Sequence, residues 1–172
     1  MCRLYPYKSE DASAVLSWIN DERTMRMWGT DKFSSFPIAE AELNAFYFSK
    51  GEKFSPFSFY DGKDFVGHMT VSFENDISAR FAHVVVDSSK RGKGYGTKML
   101  SAALSFAFDQ MHFCEVTIGV YEKNTGAYHC YTNLGFDPMP INDDVYYTFF
   151  GEEWRFIQLK MTAEDYFARK GM

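Results

Sequence analysis

Apolar residues recur along this chain with two different periods. At spacings of three and four they form stripes: Val15, Leu16, Trp18 and Ile19; Met25, Met27 and Trp28; Ile38, Ala41, Leu43, Ala45 and Phe46; and Met99, Leu100, Ala103, Leu104 and Ala107. Such spacing predicts amphipathic helices. Ser9 reads as the N-cap of the first, with Glu10 and Asp11 in its opening turn, and Ser35-Phe36-Pro37 reads as the start of a helix running towards Lys50-Gly51. The last of these stripes predicts a helix from about Gly94 to Asp109.

Extended segments alternate with these stripes. Arg3 to Tyr7 reads as an edge strand, because Pro6 has no ladder donor to give. Phe54 to Tyr60 and Phe65 to Phe73 flank Asp61-Gly62, where glycine accepts the positive φ of a hairpin turn. Arg80 to Asp87 is the next strand, and strict alternation would put His83, Val85 and Asp87 on one face. Cys114 to Tyr121 follows the fourth stripe, as a parallel crossover would place it, and Val145 to Phe150 with Trp154 to Met161 reads as a hairpin around Gly151-Glu152-Glu153. The last dozen residues read as a short surface helix.

Composition narrows the class. At 172 residues the chain is expected to be one domain, 1–172, with a substantial core, rich in aromatic side chains at 19%. The formal net charge of -5 argues against nucleic acid as the main partner and is compatible with a cationic substrate. Cys2, Cys114 and Cys130 show no pairing pattern, which suggests neither a disulfide framework nor a zinc site and fits a reducing cytoplasm. No apolar run reaches membrane-spanning length, and the opening MCRLYPYKSED has no signal-peptide core.

Against that acidic background, Val84 to Met99 concentrates Lys90, Arg91, Lys93 and Lys98 around Gly92, Gly94 and Gly96. Glycine amides at a helix start approach and attract anions, so the stretch reads as a pyrophosphate cradle. A Walker loop does not fit the residues Gly92 to Thr97, and the dinucleotide fingerprint fails at Thr97 and Met99. What remains, Arg91-x-x-Gly94-x-Gly96 directly after a strand, resembles the acyl-CoA-binding loop of the GNAT N-acetyltransferase superfamily. Downstream, Asn124, Ala127, Tyr131, Gly135 and Phe136 form a second pattern, similar to that superfamily's other signature. The resemblance covers about Phe65 to Phe136 well. The opening strand and its Trp-Ile-Asn-Asp helix loosely resemble the branch that includes the ribosomal-protein N-terminal acetyltransferases.

The resemblance implies an α/β fold: a central mixed, mostly antiparallel sheet with a splayed parallel strand pair and helices on both faces. It implies acetyl-CoA as co-substrate, a primary amine as acceptor, either a small-molecule amine such as a polyamine or a protein N-terminus, and no metal. A homodimer is compatible with it. Cofactor contacts are then expected from Val84, Val85 and Val86, from Arg91, Gly92, Lys93, Gly94, Tyr95, Gly96 and Thr97, and from Asn124, Ala127 and Tyr131. Tyr131 matches the superfamily tyrosine that protonates the departing thiolate, and a backbone N–H of the valine strand would stabilise the oxyanion. Some members carry a glutamate base five residues before the motif asparagine, where this chain has Gly119. Candidate bases are therefore His83, Glu74 and Glu152, and candidate acceptor contacts are Trp28, Phe33, Phe36 and Glu152. Core packing is the competing reading for each aromatic among them, and a module that binds acyl-CoA without turnover is the competing reading of the whole chain.

Overall fold

The structure is a computed structural model that describes residues 1–171. Its eight strands form a mixed, mostly antiparallel sheet, and the chain divides into two compact units, 1–72 with 82–102 and 73–81 with 103–172.

The first unit begins with β1 (Cys2–Pro6), an edge strand antiparallel to β2 (Phe54–Asp61), which pairs in turn with β3 (Asp64–Phe73). The β2–β3 turn is the expected one, with Gly62 at φ +63. Next to β3 lies β4 (Ser78–Val86). Three helices fill the segment between β1 and β2. A 3₁₀ turn, Ser9–Asp11, leads into α1 (Ala12–Ser17); α2 (Glu22–Gly29) follows, then α3 (Glu40–Phe48). Asp21 caps α2 by accepting the Thr24 N–H at 2.7 Å.

Two expected starts are corrected. Ser9 makes no cap; Asp11 instead turns its carboxylate back to the Lys8 N–H at 3.0 Å. The third helix opens at Glu40 and not at Ser35: residues 35–39 stay non-helical, and Pro37 has no N–H to give a helical ladder. The core of this unit joins Val15, Trp18, Ile19, Met25, Trp28, Phe33, Ile38, Leu43 and Tyr47 with Val85.

In the second unit, β4 pairs in parallel with β5 (Glu115–Tyr121), from Ser78 opposite Glu115 to Phe81 opposite Ile118. These four positions are the extent of the parallel ladder. Along its whole length β5 pairs antiparallel with β8 (Glu152–Thr162), which also carries β6 (Asp137–Pro138) and β7 (Val145–Phe149). Phe150 and Gly151, both at positive φ, close the β7–β8 hairpin. α5 (Thr125–Leu134) ends at Gly135, whose φ of +107 makes it a left-handed cap. α6 (Ala163–Lys170) opens with a Thr162–Asp165 capping box.

The chain passes between the units in β3, β4 and α4 (Tyr95–Ser105), which continues as a π-helical turn from Phe106 to Gln110. Strict alternation along β4 is interrupted at His83, which sits at φ +51, a conformation few non-glycine residues adopt.

Candidate active site

The glycine stretch takes its shape from Asp87. That carboxylate accepts the Ser89 N–H at 2.9 Å and the Ser89 hydroxyl at 2.8 Å, which winds Ser88–Lys90 into a 3₁₀ turn as β4 ends. Gly92 and Gly94 follow at φ +74 and +79, and an added Cβ at either would meet nothing within 4 Å. Both are therefore glycine for their backbone conformation, with open space over the amides. α4 then starts at Tyr95, so Gly96 and Thr97 lie in its first turn. The arrangement fits an anion at a helix start.

The basic side chains here divide. Arg91 reaches back to the Trp18 carbonyl at 3.2 Å, and Lys90 pairs with Asp64 at 3.2 Å, while Lys93 and Lys98 are exposed. Tyr95 donates to Asp61 at 3.1 Å, tying the helix start to the β2–β3 turn. Upstream, Val84 and Val86 are half-buried and Val85 is buried, its carbonyl 3.3 Å from where a Cβ on Gly67 would stand. Gly67 thus permits the close approach of β3 to the valine segment.

Around His83 the same unit gathers aromatic rings. Trp28 meets the imidazole edge-on at 5.2 Å between centroids, and Phe46 and Tyr47 do so at 5.7 and 6.0 Å. The Trp28 Nε1–H is buried and meets no acceptor among the described residues. Phe33, at 1% exposure, stacks on Trp28 at 5.8 Å and supports that ring from inside the core. Phe36 is exposed on its loop.

In the second unit, Asn124 caps α5 by accepting the Ala127 N–H at 3.3 Å, which leaves the carboxamide NH₂ as the group with donors to offer. Tyr131 is buried on α5, 6.4 Å from Phe136. Burial first, and the Cys130 thiol second, push its hydroxyl far above the usual phenol range, so it stays protonated. Glu152 accepts from Lys123 at 2.6 Å and from the Trp154 indole at 3.1 Å. Glu74 is exposed in the turn that precedes β4.

Gly119 is explained by its neighbours. A Cβ there would stand 2.3 Å from the Phe156 ring and 3.0 Å from Arg80 Nη2, so β8 fills the volume that a side chain at this position would need. Residues the sequence did not mark as functional are Asp87, legible in retrospect as an Asp-Ser-Ser turn, and Thr70, which carries no sequence signal.

The model of the acetyltransferase (GNAT) family matches residues 15–136, which include the glycine stretch and the α5 pattern. The chain belongs to that family. GNAT membership makes it an acetyl-CoA-dependent acetyltransferase acting on an amine. Among solved structures it is similar to spermidine N-acetyltransferase from Vibrio cholerae in complex with CoA and spermine, at 20% identity and a TM-score of 0.80, over 96% of this chain and 98% of that one. It is likewise similar to the Vibrio cholerae spermidine/spermine enzyme in complex with manganese ions, at 19% identity and a TM-score of 0.74, over 98% and 96%. At these identities the likeness shows the GNAT fold. Among the described residues of this chain, no group of three or more His, Cys, Asp or Glu could hold a metal ion.

Proposed function

We propose that this chain is a single catalytic domain over 1–172 that acetylates a primary amine by direct attack, with a polyamine as its acceptor. The observation that carries the reading is the positive-φ Gly92 and Gly94 leading into α4 inside a GNAT family match. These amides take the cofactor's pyrophosphate, with Lys93 and Thr97 at its edge. Val84 to Val86 line the pantetheine arm, and the Asn124 carboxamide donates to it.

In the reaction the amine nitrogen bonds to the thioester carbonyl carbon and the C–S bond breaks. The amine proton passes to His83, and the thiolate takes a proton from Tyr131. Tyr131 suits that role because its burial keeps it protonated across the working pH range. Trp28 contributes an aromatic face and a desolvated N–H to the acceptor wall, and Glu152 would exchange Lys123 for an acceptor ammonium.

The polyamine assignment rests on the spermine-bound Vibrio cholerae enzyme and on this chain's acidic balance. Cys2, Cys114 and Cys130 are thiols rather than disulfides, which suits a cytoplasmic enzyme. A homodimer belongs to the same reading.

Thiol release from acetyl-CoA, measured across spermidine, spermine, aminoglycosides and short N-terminal peptides, tests it. Turnover with the polyamines is expected. Turnover with peptides alone would move the acceptor to protein N-termini. CoA binding with no release from any amine would leave the binding-only module standing.

A further inference from the structure

Thr70 is completely buried on β3, and its hydroxyl oxygen lies 3.0 Å from Nδ1 of His83. A hydroxyl enclosed in apolar surroundings is costly unless a partner compensates it, and valine would fill the same volume without that cost. The side chain is β-branched and its backbone is held in the ladder, Thr70 lying opposite Pro56, so the oxygen has little freedom to move.

We propose that Thr70 is a positioning residue for His83: its hydroxyl accepts the Nδ1–H and holds the imidazole in the tautomer whose Nε2 takes the proton of the acceptor amine. This inference rests on the reading of His83 as base and adds the group behind it. In neutral imidazole one nitrogen donates and the other accepts, so fixing the proton on Nδ1 gives Nε2 the lone pair. A tautomer fixed the other way would present Nε2–H, which cannot accept a proton.

The surroundings make this testable by pH. Among the groups that pack around His83, Tyr47 from α3 and His68 from β3 titrate, whereas Trp28, Phe46 and Phe54 do not. Burial drives Tyr47 well above the phenol range and, with His83 as neighbour, pulls His68 down to about 3. Both stay neutral through the working range. Lys50 places its ammonium 4.6 Å from the Phe46 centroid. An acidic limb that moves when Thr70 changes therefore reports on His83.

The experiment compares Thr70→Val, Thr70→Ser and His83→Gln in the full chain. It measures thiol release from acetyl-CoA with spermidine between pH 5 and 9, and ¹⁵N chemical shifts of the histidine ring nitrogens. Thr70→Val is expected to lower kcat about tenfold, the scale of one lost hydrogen bond in a preorganised site. It is also expected to move the acidic limb to lower pH, because the imidazolium loses the acceptor for its Nδ1–H. Thr70→Ser keeps the hydroxyl and should restore both. In the NMR spectrum the Nδ1–H tautomer of His83 dominates in the parent and loses ground in Thr70→Val.

Wild-type rate, limb and tautomer in Thr70→Val would overturn the inference. So would an Nδ1 found unprotonated in the parent, an observation that needs neither turnover nor a folded valine variant. If His83→Gln kept the parent rate and profile, it is the base assignment that fails, and the ring-nitrogen shifts would still decide whether Thr70 sets the tautomer.

Discussion

Nε2 of His68 lies 2.7 Å from the hydroxyl oxygen of Tyr47, and both side chains are buried within the first unit. Burial holds the folded-state His68 pKa down at about 3, against about 6.5 for an exposed histidine. Below the higher value the unfolded chain binds a proton that the folded chain refuses, so stability falls as pH drops from about 6.5 towards 3. Between pH 7 and 5 this single site should remove about 2 kcal/mol, at the limiting slope of 1.4 kcal/mol per pH unit. Urea midpoints at the two pH values, in the parent and in His68→Gln, give the comparison. A parent no more pH-sensitive than the variant would mean that His68 is protonated in the fold.

Phe156 and Gly119 are a matched pair. Phe156 packs on Tyr121 at 4.8 Å and on Tyr147 at 5.9 Å, so its ring has little room to retreat from a methyl group at 119. Gly119→Ala should cost about 1–3 kcal/mol, the usual range for overpacking. Phe156→Ala in the same chain should recover most of the Gly119→Ala increment in a double-mutant cycle. Additive effects would show that the ring is not what excludes a side chain here.

The two units differ in how far their sequence announced them. Gly62, Gly135 and the Gly151 hairpin were legible because each turn imposes a positive φ that glycine meets locally. The α3 start was not, since Ser35 before Phe36-Pro37 imitates a cap while the loop runs on to residue 39. The loop glycines and the α5 motif read directly as family marks, because both are short contiguous stretches inside the GNAT match. For Phe33 the sequence left two readings, because an aromatic in a helix-flanking loop looks the same whether it faces a ligand or stacks on a core ring, and in the fold it stacks on Trp28. Thr70 was invisible: its meaning comes from a contact thirteen residues away across the sheet.

Tyr131→Phe separates chemistry from binding. The hydroxyl is held protonated by burial, so the alkaline limb of the rate profile should not arise from its ionisation. Loss of the hydroxyl should lower kcat by about 10²–10³ with the KM for acetyl-CoA nearly unchanged, as removal of a general acid does. The pH profile of kcat and KM together checks this. A rise in KM at constant kcat would make Tyr131 a binding residue instead.

Gly94 and Gly62 offer an internal control for the pyrophosphate cradle. Both hold positive φ, +79 and +63, and both have open space where a Cβ would go, so replacement by alanine imposes the same kind of backbone strain at each. Each variant should lose about 1 kcal/mol of stability. Only Gly94 directs amides at the head of α4, so only Gly94→Ala should also weaken CoA, by about tenfold if one amide–phosphate hydrogen bond of charge-assisted strength is lost. Calorimetric titration of CoA into the two variants, with thermal unfolding alongside, makes the comparison. Equal CoA affinity in both would remove Gly94 from the cradle; equal weakening in both would trace the effect to general loosening of the first unit, through the Tyr95–Asp61 contact that joins the β2–β3 turn to the helix.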